Sequence, residues 1–299
     1  MNLNPKVTTR RSSLASPGLY LSRMRARRWA ILGGGIALAC AGVLLAQRFG
    51  GIQHGDEPAP TFPRDGEFHF IRLEYTDLPQ FHRRFGYASR RATGTGWWIV
   101  DWPDADEHFS AGVRRLTRMD VGEPRHLRLN DDRLFDYPWI YATQTGWWGL
   151  SDEECAHLRE YLLRGGFLVT DDFWGDQQWD IFERTMDRVL PGHEITDIDE
   201  GDSVMHVLYD IGAKDRTFIP GTRHLRRGPG GQIVVMQPPG SAPAWKAIDD
   251  DRNRVVVAVN FNTDVGDAWE YADAPEYPEQ MTALAYRYGV NYLIYAVTH

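Results

Sequence analysis

The order of apolar and polar residues predicts strands and helices that alternate along most of the chain. Spacing typical of strands occurs in Phe68–Tyr75, in Tyr137–Gln144 and in Phe167–Phe173, the last of which is a continuous apolar run. Helical stripes occur in Asp104–Met119 and in Trp179–Val189. Because strand and helix alternate, we expect the α/β class, with right-handed crossovers and a mostly parallel sheet covered by helices.

Local signals add further elements. Ser151 and Glu154 have the spacing of a capping box and predict a helix that begins there. Pro243–Asn262 predicts a hairpin, and Glu279–Val297 has the buried stripe of a last helix. Together these elements predict one α/β domain over residues 66–299, which is an ordinary length for a single domain.

The N-terminal part of the chain differs from this domain. Trp29–Ala46 holds 18 uncharged residues, which at about 1.5 Å per residue just span a bilayer core of roughly 30 Å. Residues 1–28 are basic, so they are either the cytosolic tail of a membrane anchor, which we favour slightly, or the first region of a signal peptide. Residues 47–65 have the composition of a linker. We therefore expect the domain to face the periplasm, anchored to the inner membrane or released.

Charge and cysteine content exclude several classes of function. The first fifty residues hold eight basic residues and no acid, so the 33 basic and 41 acidic residues of the chain leave 25 and 41 in the remainder. An acidic body argues against general nucleic-acid binding, which needs basic surface to neutralise phosphates. Cys40 lies in the apolar run and Cys155 in a predicted helix, so we expect neither a disulfide framework nor a zinc site. No motif predicts a cofactor.

Two adjacent aspartates, Asp171 and Asp172, end the apolar strand, and ligands of open α/β sheets bind beyond such strand ends. Three interpretations are open. In the first, which we favour, Asp172 caps the next helix and Asp171 bonds a neighbouring loop. In the second, the pair binds sugar or peptide groups beside flat tryptophan faces. In the third, one of the two acts as an acid–base catalyst, although adjacent strand residues point to opposite faces.

A second polar strand end, Asn260–Glu270, has the composition of an Asx-rich turn. We expect the polar strand ends to share one hollow. A metal site that joins Asp171 and Asp264 to a histidine has no supporting spacing, so no metal is predicted. The catalytic candidates are Asp171 and Asp172, and the candidate ligand-binding residues are Arg72, Thr145, Trp147, Trp148, Asp171, Asp172, Trp174, Asn262, Asp264, Trp269 and Glu270.

Two loops have similar sequences, ATGTGWW at Ala92–Trp98 and ATQTGWW at Ala142–Trp148. We favour coincidence of loop composition, and the alternative is that both loops lie on one rim and offer aromatic faces to a ligand. A basic loop rich in Gly and Pro, Phe218–Gln232, is either a lid over the rim or a solvated insertion, and we favour the insertion.

Several stretches resemble the bacterial family called domain of unknown function 4159. The more specific ones are LREYLLRGGFLVTDD at Leu158–Asp172 and GVNYLIYA at Gly289–Ala296, within a similarity that covers roughly Phe68–Thr298. The resemblance implies a flavodoxin-like three-layer sandwich of the class I glutamine amidotransferase-like type, in an exported or membrane-anchored protein. It also implies that the Asn260–Glu270 turn lies beside Asp171, and that relatives are encoded near von Willebrand-type and AAA-ATPase membrane components.

The chain departs from catalytic amidotransferases at the turn that carries their cysteine in a Gly-x-Cys-x-Gly elbow. VTDDFWG at Val169–Gly175 has neither cysteine nor serine, and His193 lies directly beside Glu194 instead of at the His-x-Glu spacing. We therefore expect no glutaminase activity. The prediction is a non-catalytic binding or assembly module of an envelope complex, and the alternative is a hydrolase of a carbohydrate or peptide that uses Asp171 or Asp172.

Overall fold

A computed structural model of the protein describes residues 67–299. The predicted membrane or signal segment Trp29–Ala46 and the predicted linker at residues 47–65 lie outside the described residues. No helix within residues 67–299 is both long enough and apolar enough to cross a bilayer.

Strands and helices alternate in this part of the chain, as the sequence predicts. The strands are β1 (Glu67–Phe68), β2 (Ile71–Glu74), β3 (Gly86–Tyr87), β4 (Thr93–Gly94), β5 (Asp120–Val121), β6 (Arg125–Arg128), β7 (Trp139–Thr143), β8 (Phe167–Phe173), β9 (Thr196–Asp197), β10 (Leu225–Arg227), β11 (Ile233–Val235), β12 (Ala244–Asp249) and β13 (Val255–Phe261). The helices are α1 (Asp104–Leu116), α2 (Asp152–Leu163), α3 (Gly175–Val189), α4 (Val265–Glu270) and α5 (Glu279–Thr298).

The main sheet has seven strands in the order β6-β2-β7-β8-β13-β12-β9. The first five of these strands are parallel to one another, whereas β12 and β9 are antiparallel to their neighbours. The prediction of a mostly parallel sheet is therefore confirmed. All seven residues of β8, the central strand, are buried, as a strand covered on both faces requires.

Helices cover both faces of the sheet. Phe109 of α1, Trp269 of α4 and Tyr288 of α5 belong to the apolar core on one face. Leu158 of α2 and Phe182 of α3 belong to the core on the other. The sheet thus lies between two helical layers, and its parallel strands all end at one edge, beyond which the loops gather.

Local signals explain where α2 begins. Ser151 Oγ accepts a hydrogen bond from the backbone N–H of Glu154 (3.1 Å), and Glu154 Oε2 accepts one from the N–H of Ser151 (2.8 Å). These two bonds satisfy donors that the first helical turn leaves unpaired. The predicted capping box is therefore confirmed.

Several elements differ from the sequence prediction, because the predicted strand Phe68–Tyr75 is divided between β1 and β2, and the short strands β3, β4, β5, β9 and β10 were not predicted. β6 was not predicted because Leu127 is its one buried residue, since this strand lies at the edge of the sheet and has few apolar contacts. α4 lies within the predicted turn Asn260–Glu270, and it is only six residues long. Its start is fixed by Asp264, whose side chain accepts a hydrogen bond from Asp267 N.

A buried ion pair joins the sheet to α1. Arg72 of β2 donates Nε and Nη2 hydrogen bonds to the two carboxylate oxygens of Asp106, with Nε to Oδ1 at 3.1 Å, and both side chains are fully buried. Arg72 Nη1 also donates to the carbonyl of Val100 (3.0 Å), which holds the loop before α1. The guanidinium carbon lies 4.7 Å from the centre of the Tyr141 ring. Arg72 thus positions both α1 and its preceding loop.

Removal of one partner of this pair should strongly destabilise the fold. We expect Arg72→Ala to lower the free energy of unfolding by about 3–5 kcal/mol, because Asp106 is left charged and buried without a partner. Urea denaturation measures this change. Arg164→Ala, which breaks an exposed pair with Glu160 on α2, is the control and should cost less than about 1 kcal/mol. Similar losses in the two variants would contradict the structural role of Arg72.

Candidate functional site

The end of β8 contains a β-bulge at the aspartate pair. Val259 of β13 pairs with Thr170, and Phe261 pairs with Phe173, so two steps along β13 match three steps along β8. Asp172 has φ 51°, in the left-handed region that Asp tolerates better than most residues. A bulge changes the direction of the side chains that follow it. The simple alternation of strand faces therefore does not apply to this pair.

Asp171 is completely buried and joins three elements. Its Oδ2 accepts hydrogen bonds from the hydroxyl of Tyr141 on β7 (2.9 Å) and from the backbone N–H of Gly266 on α4 (2.9 Å). Among the described residues, none donates to Asp171 Oδ1. Burial, together with the neighbouring charge of Asp172, raises the pKa of Asp171 to about 7. The prediction that Asp171 lies beside the turn that follows β13 is confirmed.

Asp172 accepts hydrogen bonds from three side chains. Its Oδ1 accepts from Trp174 Nε1 (2.6 Å) and from Arg223 Nη2 (3.0 Å), and its Oδ2 accepts from Gln144 Nε2. The cap position of α3 is Trp174, and no side chain caps that helix. The expectation that Asp172 caps α3 is therefore wrong, because its oxygens are taken by side-chain donors from three different segments.

Those three donors form part of the wall of a cleft of about 480 Å³. Trp97 and Trp147 also line the cleft, with their ring centres 5.9 Å apart and their planes inclined by 29°. The guanidinium of Arg223 lies 4.7 Å from the ring centre of Trp174. The cleft thus combines flat apolar surfaces with amide and guanidinium donors, and Asp172 fixes part of that wall from behind.

The two similar loops meet in this cleft. Trp97 belongs to the first and Trp147 to the second, whereas the tryptophan that follows each of them, Trp98 or Trp148, is buried in the core. Leu78 N donates a hydrogen bond to the Trp147 carbonyl (2.9 Å) and further fixes the second loop. This arrangement supports the interpretation that both loops lie on one rim. The interpretation that we favoured from the sequence, a coincidence of loop composition, is not supported.

The basic loop at Phe218–Gln232 also contributes to the wall. Arg223 and His224 line the cleft, and the loop continues into the β10–β11 hairpin. His224 Nδ1 accepts a hydrogen bond from Gly221 N (3.1 Å), and burial lowers the pKa of His224 to about 4. The expectation of a solvated insertion is wrong for these two residues, because the charge of Asp172 holds Arg223 over the strand end.

Behind this wall lies a group of buried carboxylates, here called the carboxylate cluster. Its members are Asp101, Asp172, Asp264, Asp267 and Glu270. They form two overlapping groups, Asp101 with Asp267 and Glu270, and Asp101 with Asp172 and Asp264. Within each group, one oxygen of each residue lies within 4.8 Å of the others, a spacing that could hold a metal ion.

Burial beside other carboxylates raises the pKa of four members of the cluster, Asp101, Asp264, Asp267 and Glu270. Burial first, and then the charges of neighbouring carboxylates, raise the pKa of Asp101 and of Asp264 well above the ordinary range. Burial and Asp267 together raise the pKa of Glu270 to about 8. Protein donors offset part of this effect, since Thr222 Oγ1 donates to Asp267 (3.0 Å) and Arg90 N donates to Glu270 (2.9 Å).

Sequence reasoning missed Asp101, which belongs to both groups. It has φ 67° and comes just before α1, in a loop that Arg72 holds through Val100. No spacing motif links it to the acids of α4, which lie far along the chain. The pattern DAWE at Asp267–Glu270 was visible, and its i, i+3 spacing places both carboxylates on one face of a helix.

The other predicted site residues have varied positions. Trp148, Trp269, Arg72 and Thr145 are completely buried, so they offer no surface to a ligand in the cleft. Asn262 joins two segments, because its Oδ1 accepts from Gly175 N (3.0 Å) and its Nδ2 donates to the Ala242 carbonyl (3.0 Å).

The paired aspartates do not line an open hollow. Asp171 is fully buried and Asp172 is 1% exposed, so the expectation of strand ends open to one hollow is wrong. The side chains of Gln144, Trp174 and Arg223 cover Asp172. Of the predicted site residues, Trp147 and Trp174 line the cleft, while Asp172, Asp264 and Glu270 belong to the carboxylate cluster.

The residues that would make a nucleophile elbow are absent from the described β8–α3 connection. This connection carries neither cysteine nor serine. Cys155 is buried in α2, and burial raises the pKa of its thiol, which disfavours the reactive thiolate. His193 lies 3.4 Å from Asp251, away from both the cleft and the carboxylate cluster.

These features define an α/β domain with a buried carboxylate cluster beyond the carboxyl ends of its parallel strands. The chain belongs to the family described as "Domain of unknown function (DUF4159)", whose model matches residues 85–297. The family resemblance seen in the sequence is thereby confirmed over more than two thirds of the chain. No curated protein matches the chain.

The raised pKa values predict how stability depends on pH. The pKa of Asp171 rises from 3.8 to about 7 on folding and that of Glu270 from 4.5 to about 8, so both groups favour the folded state most when they are protonated. We expect the free energy of unfolding to fall as the pH rises from about 4 to about 8.

Urea denaturation at a series of pH values tests this expectation. Asp171→Asn, which keeps an oxygen acceptor but cannot ionise, should flatten the decrease. Asp187→Asn, on the exposed face of α3, should leave the curve unchanged. Stability that stays constant or increases over this pH range would show that Asp171 and Glu270 are not buried as described.

Proposed function

We propose that this domain is a non-catalytic binding module whose ligand occupies the cleft lined by Trp97, Trp147 and Trp174. The observation that carries the proposal is that Asp172 accepts hydrogen bonds from three cleft residues, Gln144, Trp174 and Arg223. A buried carboxylate that fixes several side chains around a cleft reduces the entropy lost when a ligand binds.

The composition of the cleft favours a carbohydrate segment as the ligand. The apolar faces of sugar rings pack on flat aromatic rings, and Trp97 and Trp147 provide two such rings in the wall of the cleft. Gln144, Gln178 and Arg223 provide amide and guanidinium groups that can hydrogen-bond hydroxyls. The volume of about 480 Å³ is within the range of small-molecule sites.

The burial of the aspartates favours binding over hydrolysis. A general acid or base must come within hydrogen-bond reach of the group it protonates. Asp171 faces Tyr141 and Gly266 in the interior, and Asp172 lies behind the side chains that line the cleft. The hydrolase alternative is therefore the weaker one.

The wider setting of the module follows from sequence predictions. The predicted segment Trp29–Ala46 would attach it to the inner membrane, with the binding domain in the periplasm. Its partners would be envelope proteins such as von Willebrand-type or AAA-ATPase-linked components.

The strand order supports the inferred amidotransferase-like scaffold. Numbered by their order in the chain, the five parallel strands are arranged 2-1-3-4-5 in the sheet. This is the strand order of flavodoxin-like folds.

Carbohydrate binding can be tested with a glycan array, followed by calorimetry with the soluble oligosaccharide that binds best. We expect Trp147→Ala to weaken binding at least about tenfold, because it removes one aromatic face of the cleft. Asp172→Asn should also weaken binding, because Arg223 loses its charged partner.

Tyr87→Ala is the matched control, since Tyr87 is 75% exposed and lies outside the cleft. The control should bind as the natural protein does. Absence of binding to any glycan, or an equal loss in Trp147→Ala and Tyr87→Ala, would refute the proposal. Release of cleaved sugar that stops in Asp172→Asn would favour the hydrolase alternative.

A further inference from the structure

The two acids of α4 and Asp101 form a compact group of oxygens. Asp267 and Glu270 are three residues apart and lie on one face of α4. Asp101 reaches them from the loop before α1, so that one oxygen of each residue lies within 4.8 Å of the others. Three carboxylates from two separate segments therefore converge on one point.

Asp101 provides a second, independent observation. It is 4% exposed, and its Oδ2 has no hydrogen-bond donor among the described residues. A Cβ atom placed on Gly266 of α4 would lie only 2.6 Å from this oxygen. The unpaired oxygen is thus directed at α4, the helix that carries Asp267 and Glu270. A buried carboxylate oxygen without a donor is costly, and it is rare in native proteins.

Nearby cations balance only part of the carboxylate cluster. Arg72 is paired with Asp106, and Arg223 donates to Asp172. Arg83, a further cation near Asp101, donates to the carbonyl of Tyr87. Protons or a bound cation must therefore neutralise the remaining carboxylates. Carboxylate oxygens are the ligands that Mg²⁺ and Ca²⁺ prefer, whereas the nitrogen and sulfur ligands typical of zinc are missing from this group.

We propose that Asp101, Asp267 and Glu270 bind a divalent cation that prefers oxygen ligands, Mg²⁺ or Ca²⁺. This group is favoured over Asp101 with Asp172 and Asp264, because three side chains already donate to Asp172. A cavity of about 360 Å³ lies next to the group, since Thr222 and Arg90, which hydrogen-bond Asp267 and Glu270, line it. Arg90, in the wall of this cavity, is paired with Asp273.

Thermal unfolding of the full-length protein tests the proposal. The protein is treated with EDTA, dialysed, and titrated at neutral pH with MgCl₂ or with CaCl₂. We expect one of the two to raise Tm by roughly 5–10 °C at about one hundred times its Kd, because the cation binds the folded state alone. Calorimetry provides the Kd. No rise in Tm with either salt up to about 10 mM would overturn the proposal, since even weak calcium modules bind below that concentration.

Variants identify the ligands. Asp101→Asn should abolish the Tm rise, and Glu270→Gln should weaken cation binding at least about tenfold. Glu183→Gln, on the exposed face of α3, is the matched control and should retain the full response. Asp101→Asn keeps the shape of the side chain and removes a buried charge, so we expect it to fold in EDTA, which circular dichroism verifies.

Two further results would overturn the assignment. One is a Tm rise that persists in Asp101→Asn. The other is a response that is lost in Asp172→Asn but retained in Glu270→Gln, because it would place the cation in the other group. If Asp101→Asn fails to fold, Glu270→Gln decides the question through its cation affinity. If Glu270→Gln loses cation binding but still binds the glycan in the cleft, the cation site and the cleft are independent of each other.

Discussion

Several carboxylates are buried at the edge of the sheet where the parallel strands end, and the structure of this edge depends on how they are stabilised. An ionised carboxylate in the protein interior requires hydrogen-bond donors, an opposite charge or a proton. Each of these solutions occurs here. Backbone N–H groups donate to Asp171 and Glu270, Arg223 pairs with Asp172, and raised pKa values favour protonation of Asp171 and Glu270. The loops beyond the strands are arranged around this requirement.

Asp172 connects the carboxylate cluster with the cleft. It lies within one of the two cluster groups, and it also accepts hydrogen bonds from Gln144, Trp174 and Arg223, which line the cleft. Asp172 is therefore one side chain through which a change of charge in the cluster acts on the cleft wall. The Arg72–Asp106 pair does not contact the cleft. It holds α1 in place, and Arg72 also holds the loop that contains Asp101.

Sequence patterns predicted the elements whose residues are buried with a regular period. β8 has the predicted bounds Phe167–Phe173, and the capping box at Ser151 marks the start of α2. The edge strand β6 lacked such a signal, since Leu127 is its one buried residue. For the site, strand-end acids and tryptophans could be found from the sequence. The role of Asp101 could not, because it depends on long-range contacts and on a positive φ that no local pattern encodes.

The bulge in β8 lies at the two aspartates that make polar contacts, next to the residues that pack in the core. Up to Thr170, the pairing with β13 is regular, and the core residues keep their places. The one additional residue beyond that point turns the carboxylates toward different partners, with Asp171 directed to α4 and Asp172 to the cleft wall. Phe173, which follows the bulge, returns to the core and pairs with Phe261. One additional residue therefore lets two adjacent carboxylates serve the interior and the cleft wall separately, while the strand on either side of them stays packed.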